Sequence, residues 1–300
     1  MAEALVKNGK HTVTAITREE SKAEMPSGVT VKKVNYADPS TLVEAMRGND
    51  ALIITLAGNA LDQEQKLIDA AGEAGVPWVI PNEWSPDMAN EKLADDMIVG
   101  KAKRENRAYI ENLGKSAWIG VSTGFWYEWS LAIPAAYGFD IKKKAVTLFN
   151  DGDDKICTST WPRVGQAMAK FLSLPLQSED GSICINQYKN KHIYFSSFTV
   201  SQNDMFDSLL RVTETKRDDW TVTKEPAKER WETGKQQMMT GDRIGFAKAL
   251  YTRAFFPDGS GNVATYRELL NDKLGLPKED IDEATKAAVK RSEGPQWGEE

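Results

Sequence analysis

Along the first 123 residues, short apolar or β-branched runs take turns with stretches of helical spacing. The runs are His11–Ile16 (HTVTAI), Val29–Val34, Ala51–Leu56 (ALIITL), Trp78–Ile80 and Ala117–Ser122. Ala51–Leu56 is almost wholly apolar, the pattern of a strand covered on both faces. Between the runs lie predicted helices: Pro39–Arg47, with Asp38 as cap and Pro39 in the first turn, residues 62–74 before Gly75, and a charged helix from Asp95 to Leu113 stopped by Gly114. Met1–Asn8 reads as the tail of a further helix, closed by Gly9. Strands alternating with helices at this spacing predict βαβ units and a parallel sheet.

Beyond Trp129 the rhythm changes. Ala145–Phe149 and Ile156–Ser159 read as strands around the turn at 150–153, Val164–Leu172 as a short helix and His192–Phe198 as a strand. Ser201, with Asp204 three positions on, predicts a capped helix start. Pro226–Met239, Arg243–Phe255, Tyr266–Leu274 and Glu279–Lys290 follow as helices, and residues 292–300 as a loose tail. The organisation expected is a nucleotide-facing region, 1–123, and a smaller, mixed and increasingly helical substrate-facing region, 124–300.

The stretch from Asp95 to Trp129 joins the two. Its strand Ala117–Ser122 runs into Thr123-Gly124-Phe125 and then Trp126, Tyr127 and Trp129. Ligands of open α/β sheets bind beyond the carboxyl ends of the strands. There small residues allow close approach and aromatic rings wall a cavity. Lysines on the preceding helix are in reach of the same cleft. Ile98, Ala102, Tyr109 and Leu113 form the expected buried stripe of that helix, flanked on opposite sides by Lys101 and Lys103.

Composition narrows the chemistry. The 300 residues carry a formal charge of -6 with no sustained basic block, which argues against nucleic acid as the main partner. Cys157 and Cys184 form no CxxC, and with only His11 and His192 a zinc centre is disfavoured. No apolar run approaches the ~20 residues of a membrane span, and the N-terminus lacks a signal peptide's apolar core. A soluble cytoplasmic protein is expected.

A dinucleotide site normally opens with a strand and a glycine-rich turn leading into a helix N-terminus. No GxGxxG precedes residue 20, and GEAGVP at 72–77 lies in the wrong order, at a helix end before a strand. What is lacking is a strand plus a turn, roughly 10–15 residues. The expectation is therefore either a truncated sequence or an unusual protein with an impaired site, in which two unpaired sheet edges favour self-association.

Thr17-Arg18, Ala57-Gly58, Pro81-Asn82-Glu83-Trp84, Lys101 and the run Val-Ser-Thr-Gly-Phe-Trp at 121–126 occur in an order that resembles the NmrA-like branch of atypical short-chain dehydrogenases. The fungal isoflavone-reductase-like members are the most similar. The resemblance covers most of residues 1–175 and implies a Rossmann-type parallel sheet, here without its first strand, binding NADP(H), with a smaller α+β substrate domain. By position it implies that Arg18 faces the adenosine 2′-phosphate, a role guanidinium geometry suits. Thr17 lies beside it. Ala57, Gly58 and Asn82 are implied to pass along the cofactor, and Thr123, Gly124 and Phe125 to lie near the nicotinamide. Lys101 matches the helix lysine that acts as general acid/base or holds the nicotinamide ribose. A lysine can do the former only if burial or nearby positive charge lowers its pKa from about 10.4. Which of Lys101 and Lys103 faces the cleft stays open. Tyr109 is followed four positions on by Leu113, so the Tyr-xxx-Lys pair of typical short-chain enzymes is absent. Two functions remain: an NADP(H)-dependent reductase of a small aromatic or apolar substrate, or a non-catalytic NADP-sensing or partner-binding protein.

Overall fold

A computed structural model describes residues 1–295, apart from the side chain of Asn59. The strands of its first half are β1 (Val13–Arg18), β2 (Val29–Val34), β3 (Ala51–Ile53), β4 (Trp78–Ile80) and β5 (Ala117–Ser122). Then come β6 (Phe125–Trp126), β7 (Phe139–Asp140), β8 (Ala145–Phe149), β9 (Ile156–Ser159), β10 (Lys191–Tyr194), β11 (Phe198–Val200) and β12 (Thr221–Glu225). The helices are α1 (Ala2–Asn8), α2 (Pro39–Met46), α3 (Glu64–Ala74), α4 (Glu91–Asp96), α5 (Gly100–Leu113) and α6 (Tyr127–Leu131). α7 (Pro134–Tyr137), α8 (Trp161–Phe171), α9 (Gln202–Val212), α10 (Ala227–Met239), α11 (Arg243–Thr252) and α12 (Ile281–Ser292) complete the set.

The expected parallel α/β sheet is present, split into two ladders. β1 pairs with β2 in parallel, and β3, β4, β5 and β10 form a second parallel ladder in that spatial order. Among the described residues β1 and β3 share no ladder, so each keeps a free edge. Burial follows from this. Every residue of β4 and β5 is buried, whereas β3 is half-buried throughout and β1 half-buried up to its exposed end at Arg18.

Alternation of side chains across the sheet explains the continuous apolar runs. Trp78, Ile80, Ile119 and Val121 pack with Val164, Met168 and Phe171 of α8 on one face. Val79 and Trp118 pack with α2, α3 and Ile110 of α5 on the other. A separate apolar core joins β8 and β9 to α6, α7, α9 and α12. The expected division at 123/124 is crossed by the chain, since β10 returns from the second region to pair with β5, and α8 packs against α1.

Several elements differ from expectation for local reasons. The charged helix is broken at 97–99 into α4 and α5, and Gly100 permits the break, because a Cβ there would lie 2.0 Å from the Ala94 carbonyl oxygen. Residues 266–274 are not helical; the Leu270 N–H donates to the Tyr194 carbonyl at 2.7 Å and the Asn271 amide to the Ser196 carbonyl at 2.7 Å, tying the segment to the end of β10. The same contacts split the expected strand 192–198 into β10 and β11. β12, with no apolar alternation to announce it, is recruited by parallel pairing with β8. The Ser201–Asp204 capping box forms as expected. Of the expected loose tail, Ser292 belongs to α12 and residues 296–300 lie outside the described residues.

Candidate active site

The site is built where β4 and β5 end. β4 stops at Pro81, and the following loop carries Glu83, which is 2% exposed. Its carboxylate accepts a hydrogen bond from Arg107 Nη1 and lies 2.8 Å from His192 Nε2, contributed by β10. Burial pushes the Glu83 carboxyl up, but the hydrogen bond and charge of His192 together with Arg107 outweigh it and hold it below the usual range. Arg107 also donates to the Met88 carbonyl at 3.2 Å and packs over the Trp118 ring.

Lys103 lies one helical turn before Arg107 and therefore on the same face of α5. Its Nζ donates to Ser85 Oγ at 2.8 Å, and that hydroxyl donates to the Glu83 carbonyl at 2.8 Å. The residue is half-buried and borders open space. Desolvation lowers its pKa to about 8, reinforced by Arg107 and opposed by Glu83 and Glu64. Glu64 of α3 accepts from the Asn82 N–H at 2.8 Å, and burial raises its carboxyl.

Lys103 and Ser85 open into a cavity of about 510 Å³. Its walls are mainly apolar: Trp84, Phe125, Trp126, Trp129 and Trp161 supply rings, and Leu250 and Tyr251 of α11 close the far side. Trp126 meets Trp161 edge-to-face with centroids 5.9 Å apart, and Arg291 of α12 lies 3.7 Å over Trp129. Such a space suits a planar apolar ligand that presents one polar atom to the amine.

The residues singled out in the sequence divide into several groups. Ala57 and Phe125 line the cavity. Asn82 fastens the turn behind it, donating to the Leu56 carbonyl at 3.1 Å. Gly58 starts an exposed 3-10 turn with open space around it. Thr123 is buried, its N–H on the Ser85 carbonyl and its own carbonyl bonded by Ser159 Oγ at 2.6 Å. Gly124 was expected to let a ligand approach, but it is required by the protein's own backbone: φ is +65° and a Cβ would lie 2.0 Å from the Cys157 carbonyl oxygen. Thr17 Oγ1 is buried without a partner, and Arg18 is exposed with Glu20 3.4 Å from its Nε.

Lys101, on the same helix, lies on its exposed side. Its side chain is 81% exposed, pairs loosely with Glu105 at 3.7 Å and is not among those that line the cavity. The reason is the helix's rotation. Of the expected stripe, Ile98 lies in the break before α5 and is exposed, as is Ala102, while Tyr109 and Leu113 are half-buried against the core; Arg107 and Ile110 are buried and Lys103 turns inward with them. Because Glu83 neutralises Arg107, a charged position lies on the buried face and hydrophobicity alone misplaces that face. Ser85, Leu250, Tyr251 and Trp161 were not identified from sequence. Lys103 and Arg107 at a four-residue spacing, with Glu83 upstream, were the available signal.

The residues present fit the two ends of a dinucleotide. Unpartnered Thr17 Oγ1 beside Arg18 sits at the end of β1, and the cavity with Lys103 lies beyond β4 and β5. The described residues carry no glycine-rich turn to cradle the pyrophosphate between them. Among the described residues no helix is long and apolar enough to cross a membrane, and no cluster of three metal-ligating side chains forms.

Known proteins resemble this chain in sequence and in fold. The chain is 29% identical to the oxidoreductase aprR of Aspergillus flavus over 297 residues, covering 97% of this chain and 94% of the relative. A crystal structure of isoflavone reductase superposes with a TM-score of 0.73 at 18% identity, covering 95% of this chain and 93% of that one. AtPrR2 with NADP+ and (+)-pinoresinol gives a TM-score of 0.73 at 17% identity, covering 95% and 94%. Residues 1–141 match the NmrA-like family. In sequence over residues 1–141 the chain is thus similar to the NmrA-like family, and in fold over nearly its whole length it is similar to isoflavone reductase.

Proposed function

We propose that the chain is an NADP(H)-dependent oxidoreductase of a small aromatic or apolar substrate, with Lys103 as its proton-transferring residue. The observation that carries this reading is Lys103, held through its amine to Ser85 at the wall of a mainly apolar cavity and with its pKa lowered to about 8. A group that titrates so near neutrality can both release and recover a proton during turnover. Arg18 and Thr17 would hold the adenosine end, and Ala57, Phe125 and Lys103 would face the nicotinamide end. When bound, NADP(H) supplies the hydride. The chain's own contribution is to seat the substrate against the indole wall, exclude water, and hold an N–H of Lys103 toward the atom on which negative charge develops.

Turnover of NADPH with a panel of aromatic carbonyl and ether substrates tests the proposal. Lys103→Met should abolish turnover while leaving the NADPH fluorescence shift intact, and Lys101→Met should leave both unchanged. Wild-type protein that does not shift NADPH fluorescence at millimolar cofactor refutes it. The sensor reading predicts cofactor-dependent partner binding without turnover.

A further inference from the structure

Lys103 reaches the cavity on a flexible four-carbon stem, and among the described residues one acceptor holds its amine: Ser85 Oγ, at 2.8 Å. That hydroxyl has one proton, directed at the Glu83 carbonyl at 2.8 Å with the Pro86 carbonyl at 3.2 Å, so a lone pair is left for Nζ. The backbone of Ser85 is itself fixed. Its carbonyl accepts from the Thr123 N–H at 3.1 Å, and the residue bridges to Ser122 at the end of β5. Ser85 is therefore a 7% exposed, rigid acceptor mounted on the central sheet. The rest of the cavity wall around it is mainly apolar.

We propose that Ser85 is a positioning residue: its hydroxyl pins the Lys103 amine to the cavity wall and turns the remaining N–H bonds toward the ligand. The role in turnover rests on the reductase reading above, whereas the pinning itself does not. Glu64 from α3, Glu83 from the loop after β4 and Arg107 from α5 are the charged groups that act on the same amine. Ser85 differs from all three, because it carries no charge and acts by direct contact. Deleting the hydroxyl removes a hydrogen bond that favours the ammonium form, so the Lys103 pKa moves further down.

The experiment compares wild type with Ser85→Ala, Ser85→Gly and Ser85→Thr. Lys103 is labelled with trace acetic anhydride across a pH series, and the modified peptide is quantified by mass spectrometry. The acetylation midpoint of Lys103 should fall by about one pH unit in both deletion variants, with Ser85→Thr near wild type. With NADPH and an accepted substrate, kcat should fall about tenfold with KM little changed, and the same limb of the pH profile should shift downward. A midpoint and pH limb that stay at wild-type values in folded Ser85→Ala and Ser85→Gly overturn the proposal. If wild type shows no turnover, the reductase reading fails, and the acetylation series alone still decides for or against the role of Ser85 in holding the amine.

Discussion

Replacing Glu83 with glutamine keeps the shape of the side chain and removes one buried charge. In the native protein Glu83 and the side chains of Arg107 and His192 are 2%, 10% and 6% exposed. The variant leaves the guanidinium of Arg107 desolvated without its counter-ion, and breaking a buried pair from one side costs ~3–5 kcal/mol. Arg107 retains the Met88 carbonyl and the Trp118 face, which places the expected loss near the lower figure. Against a total stability of roughly 5–15 kcal/mol this is a large fraction. Urea unfolding of wild type, Glu83→Gln, Arg107→Met and the double variant measures it. The double variant should be less destabilised than the sum of the singles, with a coupling of roughly 2–3 kcal/mol. The folded pKa of Glu83 is depressed. Its stabilisation is thus full above the unfolded value of about 4.3 and is lost as pH falls through the lower folded value. The gap between wild type and Glu83→Gln should accordingly close in acid. Coupling below ~0.5 kcal/mol, or a gap that persists at acid pH, would refute the electrostatic account.

Other expected outcomes follow from single contacts. Gly124→Ala forces a Cβ to within 2.0 Å of the Cys157 carbonyl oxygen at a positive φ, so a loss of at least ~2 kcal/mol should appear in thermal or urea unfolding. Ser201→Ala removes the hydroxyl that accepts from the Asp204 N–H at 3.1 Å, and should cost ~1 kcal/mol in the same assay. Lys101→Ala, on the exposed face of α5, should change stability by no more than ~0.5 kcal/mol.

The parallel sheet was legible because β4 and β5 are covered on both faces and read as unbroken apolar runs; Trp78–Ile80 and Ala117–Ser122 match the observed strands residue for residue. The Ser201 cap was legible because it is a local arrangement of side chain and backbone. The orientation of α5 was not, because Arg107 is buried by an ion pair with a residue 24 positions away. Residues 266–274 were misread for the same kind of reason, since hydrogen bonds to distant carbonyls at 194 and 196 displace helix formation. Within the site, order along the chain brought out Ala57 and Phe125. Ser85 and Tyr251 enter through packing between segments that sequence spacing does not relate.

The position of β10 bears on how the protein is assembled during synthesis. β5 gains its outer neighbour, and Glu83 its imidazole, from a segment that emerges from the ribosome some seventy residues after β5. A nascent chain released at residue 123 would carry an open sheet margin and a Glu83 carboxylate without its His192 contact. Residues 1–123 are for that reason not a detachable module: their sheet is completed only once translation has reached β10.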